Sequence, residues 1–106
     1  MHRHILSLAD MPRDQLCALL HNAEAMRKRG HEAPLAGKVV ILVFFNPSLR
    51  TRVSMELAAQ ALGARTVTLD VGQGTWRLEI EEGVVMDGDR PEHLKDAAKV
   101  LSRYGD

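Results

Sequence analysis

The segment Val39-Val40-Ile41-Leu42-Val43-Phe44-Phe45 places the strongest limit on how this chain folds. Its residues are apolar, β-branched or aromatic without interruption and without alternation. That pattern predicts a strand covered on both faces, as in a parallel sheet. Asn46-Pro47-Ser48 breaks the run, and the period then changes. Val53, Leu57, Ala58, Ala61 and Leu62 recur at helical spacing, with Gly63 placed to stop the helix. The expectation is a buried strand, a tight turn and a helix, with Ser48, Arg50, Thr51 and Arg52 around the helix start.

That junction has a definite chemistry. The first turn of a helix presents N–H groups without intrahelical acceptors, and the macrodipole adds partial positive charge there. The Ser48 and Thr51 hydroxyls can cap those donors or donate to an oxyanion. Arginine is unfavourable at this end of an isolated helix. Two of them, Arg50 and Arg52, point to an anion that offsets the cost, and phosphate matches the guanidinium fork best. A plainer reading stands beside this one, in which the hydroxyls are ordinary caps and the arginines face solvent. Neither G-x-x-x-x-G-K-S/T nor a G-x-G-x-x-G following a strand occurs, so a Walker loop and a dinucleotide fingerprint are unsupported.

The residues from Phe44 to Ala58, with Leu62-Gly63 after them, resemble the carbamoyl-phosphate-binding signature of the aspartate/ornithine carbamoyltransferase family. That signature reads Ser-x-Arg-Thr-Arg, then an aromatic or bulky residue and Glu, with Leu-Gly-x closing the helix. Downstream, Gly74-Thr75-Trp76-Arg77-Leu78-Glu79 and Gly83-Val84-Val85-Met86-Asp87-Gly88 look most like the N-acylornithine branch, which carries a tryptophan in this loop. Ornithine and aspartate enzymes show a Ser/Lys-rich loop instead.

The resemblance implies an α/β fold, a parallel sheet with flanking helices, with residues 1–106 forming part of a carbamoyl-phosphate-binding domain. It implies transfer of a carbamoyl group from carbamoyl phosphate to N-acetyl- or N-succinyl-L-ornithine in arginine biosynthesis. Ser48, Leu49, Arg50, Thr51 and Arg52 would bind carbamoyl phosphate, with Arg50 catalytic and Arg52 supporting the loop from behind or at a subunit interface. Trp76 would line the pocket of a neighbouring subunit in a homotrimer, although a lone tryptophan more commonly packs in the core. Pro91 would lie near the acyl group. There glutamate typifies acetyl enzymes and a small or apolar residue succinyl ones, so proline leans towards N-succinylornithine. Neither metal nor organic cofactor is implied. The alternatives are an ornithine or aspartate carbamoyltransferase, or an inactive phosphate-binding fragment.

The remaining sequence fits that outline. Lys+Arg 14 against Asp+Glu 14 leaves no net charge, which disfavours nucleic acid or membrane as partner. A single cysteine, Cys17, fits a reducing cytoplasm and reads as a small core residue. A helix is expected over 10–29, capped by Ser7 or Asp10, with Pro12 in its first turn and Gly30 as its stop. Its Arg27-Lys28-Arg29 end is a solvated terminus. Residues 31–37 form a linker, 65–71 a second strand, and 72–82 a loop. A last helix is expected from an Asp89 cap, with Pro91 and Glu92 in its first turn, His93 near its start, and Leu94, Ala97, Ala98, Leu101 and Tyr104 on one face.

In the family the chain continues into another strand, which bears a phosphate-binding arginine, then a His-Pro-x-Gln motif and an amino-acid-binding domain. The expectation is therefore an amino-terminal part of a longer enzyme, with one sheet edge unpaired and no turnover alone.

Overall fold

The computed structural model describes residues 4–72, 78–79 and 92–106, and for 78–79 and 92–93 the backbone alone. The chain divides into two compact units, Met1–Glu32 and Ala33–Asp106.

In the first unit Ser7 caps a short 3-10 helix, Leu8–Asp10, its hydroxyl accepting from the Ala9 N–H at 3.2 Å. Helix α1, Arg13–Arg29, starts later than the sequence predicts, with Pro12 at its cap and Asp10 outside it. The cause is Pro12, which disfavours helical backbone at the residue before it. Met11 is accordingly extended, at φ −95° and ψ 130°. Gly30 ends α1 as expected, donating to the Met26 carbonyl at 2.9 Å. No residue of α1 is buried, and Cys17 is exposed rather than in a core. At the basic end Glu24 pairs with Arg27 at 2.6 Å and Lys28 at 3.5 Å, both in solvent.

The second unit is the predicted strand–helix–strand. Strands β1, Val39–Phe44, and β2, Arg65–Asp70, pair in parallel, in register from Val39 with Arg65 to Phe44 with Asp70. Helix α2, Leu49–Ala61, connects them and packs on both. Paired residues of a parallel sheet point to the same side. Val40, Leu42, Phe44, Thr66, Thr68 and Asp70 therefore share one face, and the Gln60 side chain of α2 reaches Thr66 Oγ1 at 3.0 Å on it. Leu42 and Ala59 are buried there. Most of β1 is only half-buried, less covered than its unbroken apolar run implies.

Strands β3, Leu78–Glu79, and β4, Glu92–His93, form a second parallel pair, and helix α3, Leu94–Tyr104, follows directly. This corrects the expectation that Glu92 and His93 belong to the helix. Their backbone pairs with residues distant in sequence, an interaction that local cap signals do not carry. Asp89, expected as the cap, lies outside the described residues. Ala97 of α3 is buried, and after the helix Asp106 returns to the start of β1, its N–H donating to Val39 O at 2.8 Å and its carboxylate accepting from Val39 N at 2.9 Å. That contact lies on the edge of β1 opposite β2, since the Lys38 and Phe44 carbonyls accept bonds on the β2 side. No helix among the described residues is long and apolar enough to cross a membrane.

Gly63 fixes how α2 returns to the sheet. It sits at φ +95°, and a Cβ there would lie 2.9 Å from the Ala33 Cβ and 3.2 Å from the Ala36 nitrogen. Gly37 has a similar φ of +80° but open space around it. Gly37→Ala should therefore cost only left-handed strain, about 1–2 kcal/mol. Gly63→Ala should cost roughly 1–3 kcal/mol more, because the backbone it meets cannot move aside freely. Urea unfolding of the two variants checks the order, and equal midpoints would contradict it.

Candidate functional site

After Phe44 the chain leaves the sheet, and Phe45, Asn46 and Pro47 are exposed. Proline fixes its own φ and withholds an N–H, which suits a turn and not a continued strand. Ser48 is extended, at φ −154° and ψ 91°, and caps α2 through its backbone, the Arg52 N–H donating to the Ser48 carbonyl at 3.1 Å. The Ser48 hydroxyl makes no cap hydrogen bond, contrary to the plainer reading of that side chain. The N–H groups of Leu49, Arg50 and Thr51 have no acceptor among the described residues. These are the unpaired donors of a helix start, and no acidic residue stands in the first turn to occupy them.

The two arginines part company here. Arg50 is exposed and forms no ion pair among the described residues. Arg52 is half-buried and turns to the sheet, its Nη1 donating to Asp70 Oδ1 at 2.5 Å. Its guanidinium also lies over the Phe44 ring, 6.0 Å from the centroid. The hydrogen bond to Asp70 raises the Arg52 pKa from an already high value, with a smaller contribution from Glu56. A raised cation contributes its share of stability at every pH below its unfolded pKa and loses it only as pH passes the folded one. Arg52 is thus charged throughout the physiological pH range.

A cavity of about 330 Å³ opens at the carboxyl ends of both strands. Phe44, Phe45, Asn46, Pro47, Arg52, Asp70 and Val71 line it. Ser48, Leu49, Arg50 and Thr51 follow the cavity's Asn46-Pro47 wall in sequence, at the start of α2, but do not themselves line the cavity. Arg52 joins the cavity wall through Asp70. Trp76 and Pro91 lie outside the described residues. Asp70 is the residue that sequence reasoning missed. Its signal was an acid ending a β-branched strand, at the sheet edge where ligands of parallel folds bind. Among the described residues no group of three or more His, Cys, Asp or Glu side chains is arranged to hold a metal.

These features define an α/β protein whose parallel sheet presents an electropositive helix start at the carboxyl ends of its strands. Residues 3–106 match the carbamoyl-P binding domain of aspartate/ornithine carbamoyltransferases, and the chain belongs to that family. It is 45% identical over 104 residues to an N-acetylornithine carbamoyltransferase of Xanthomonas campestris pv. campestris, covering 98% of this chain and 31% of that protein. An N-succinylornithine carbamoyltransferase of Bacteroides fragilis is also 45% identical, over 94 residues, covering 88% of this chain and 30% of that protein. Among solved structures, an N-acetyl-L-ornithine transcarbamylase with one glutamate replaced by proline, complexed with carbamyl phosphate and N-succinyl-L-norvaline, superposes with a TM-score of 0.90. It is 46% identical and covers 99% of this chain and 32% of that one. With valine, alanine or serine at the same place the identity is 45%. The chain spans about a third of the length of the relatives it matches.

An open helix start should be visible in solution. Titration with inorganic phosphate, followed by amide NMR, should shift the Leu49, Arg50 and Thr51 resonances first and leave the centre of β2 unmoved. Shifts confined to the basic end of α1 would contradict the site.

Proposed function

We propose that this chain supplies the phosphate-binding half-site of a carbamoyltransferase acting on carbamoyl phosphate and an N-acylornithine. The observation that carries the reading is the start of α2, where a serine hydroxyl free of a cap hydrogen bond, three N–H groups and an arginine, all without partners among the described residues, adjoin. Among family members the similarity to N-acetylornithine and N-succinylornithine carbamoyltransferases supports the acceptor class.

In the reaction, the acceptor amine forms a bond to the carbonyl carbon of carbamoyl phosphate and gives up a proton. The bond from that carbon to the phosphate oxygen breaks, and inorganic phosphate leaves. Charge grows on the leaving group as the bond lengthens. Ser48 Oγ, the N–H groups of Leu49, Arg50 and Thr51, and the Arg50 guanidinium would receive it. Donors fixed in advance favour the transition state because they need no reorganisation, each contributing about 3 kcal/mol in comparable sites. No step calls for a metal or an organic cofactor.

The assembly is proposed as a cytoplasmic homotrimer in arginine biosynthesis, with Trp76 of one subunit lining its neighbour's pocket. Pro91 is proposed to favour a succinyl over an acetyl group, since a carboxylate in its place would repel the succinyl carboxylate. The matched transcarbamylase with proline in place of one glutamate is 46% identical to this chain, against 45% for an acetylornithine transcarbamylase without that change, which accords with one further shared residue. Because the chain spans 31% of a matched relative, a phosphate-binding module without turnover is the second reading for the isolated chain.

Calorimetry with carbamoyl phosphate should show binding by the wild-type chain. Losing a charge-assisted hydrogen bond should make Arg50→Gln bind roughly 10- to 100-fold more weakly. Unchanged affinity would remove Arg50 from the site. In the full-length enzyme N-succinylornithine should turn over faster than N-acetylornithine, and a clear acetyl preference would refute the role of Pro91.

A further inference from the structure

Asp70 has no place in the reaction just described, yet it makes the closest polar contact with the helix start. It ends β2 and is paired in register with Phe44, the last residue of β1. Its carboxylate accepts from Arg52 Nη1, and neither side chain is fully exposed, at 38% for Arg52 and 31% for Asp70. Arg52 is also the residue whose N–H closes the first turn of α2 on Ser48. A side chain held at its tip by Asp70, and lying over Phe44, therefore fixes the turn that carries the unpaired N–H groups.

We propose that Asp70 is a positioning residue for the phosphate site, acting through Arg52 to hold the first turn of α2 against the ends of both strands. The proposal rests on the reading of that turn as the carbamoyl phosphate site. Asp70 itself touches no substrate. Holding Arg52 at the sheet keeps the second guanidinium off the phosphate, so the leaving group meets Arg50 and the backbone donors in one geometry. The opposing effect is electrostatic. A carboxylate beside an anion site repels the anion, so by charge alone the removal of Asp70 should tighten binding. Orientation and charge thus predict opposite signs for one substitution. Orientation should win, because the pair is partly open to water, which screens the charge, whereas misdirected donors lose their hydrogen bonds outright.

The test uses calorimetry with carbamoyl phosphate on the 106-residue chain, with inorganic phosphate as a second probe. Asp70→Asn should weaken binding about tenfold, and Arg52→Gln by a similar factor. The double variant should be no weaker than either single one, since both remove the same contact. Asp70→Glu should recover part of the loss. Thermal melts of each variant separate folding from binding. If Asp70→Asn lowers the melting temperature but binds normally well below it, or binds more tightly, Asp70 has no positioning role. If the wild-type chain binds neither probe, the phosphate-site reading fails, and this proposal with it.

Discussion

The parallel pairing of β1 with β2 is the constraint on which the rest of the site depends. It brings Phe44 and Asp70 to the same level at the carboxyl end of the sheet. The turn at Asn46-Pro47-Ser48 then starts α2 beside that end, so the helix's positive pole and the strand ends meet. A slip of one residue in register would turn Asp70 to the other face. It would separate Arg52 from its carboxylate and Gln60 from Thr66, the two side-chain bonds that tie α2 to β2. The floor beneath the helix is mixed, apolar on β1 and polar on β2. That division allows an ion pair to stand at one end of a packed face.

The electrostatics of the helix start follow from what surrounds it. A helix with two arginines and no acid in its first turn works against its own dipole. Asp70 offsets one of the two charges by pairing with Arg52. Arg50 keeps its charge uncompensated among the described residues, beside N–H groups that also lack acceptors. The neighbouring arginines of the motif thereby acquire different roles, one structural and one turned outward. Partly exposed ion pairs contribute little to stability on average, so the Arg52–Asp70 contact matters chiefly for geometry.

Much of this was legible in the sequence because it is written locally. An unbroken apolar run, a proline break and a change of period predict β1, its turn and α2 within a few residues. A β-branched alternation predicts β2. What the sequence did not reveal depends on contacts across the fold. Asp70 looks like any acid ending a strand until register places it opposite Phe44. The start of α3 was misplaced because β4 borrows its backbone partners from residues far upstream. Periodicity also says which residues share a face without saying what covers that face. Val53 and Leu57 of α2 are thus 45% and 59% exposed despite their helical spacing. The motif residues Ser48 to Arg52 were legible together, and the resemblance already set Arg52 apart as a supporting residue; what the structure adds is its partner, Asp70.

The most direct measurement is a crystal structure of the chain with carbamoyl phosphate. The account predicts phosphate oxygens about 2.7–3.1 Å from the N–H groups at the start of α2, with Arg50 on the phosphate and Arg52 still on Asp70. A phosphate held elsewhere, or Ser48 and Arg50 turned away from each other with no anion between them, would contradict it.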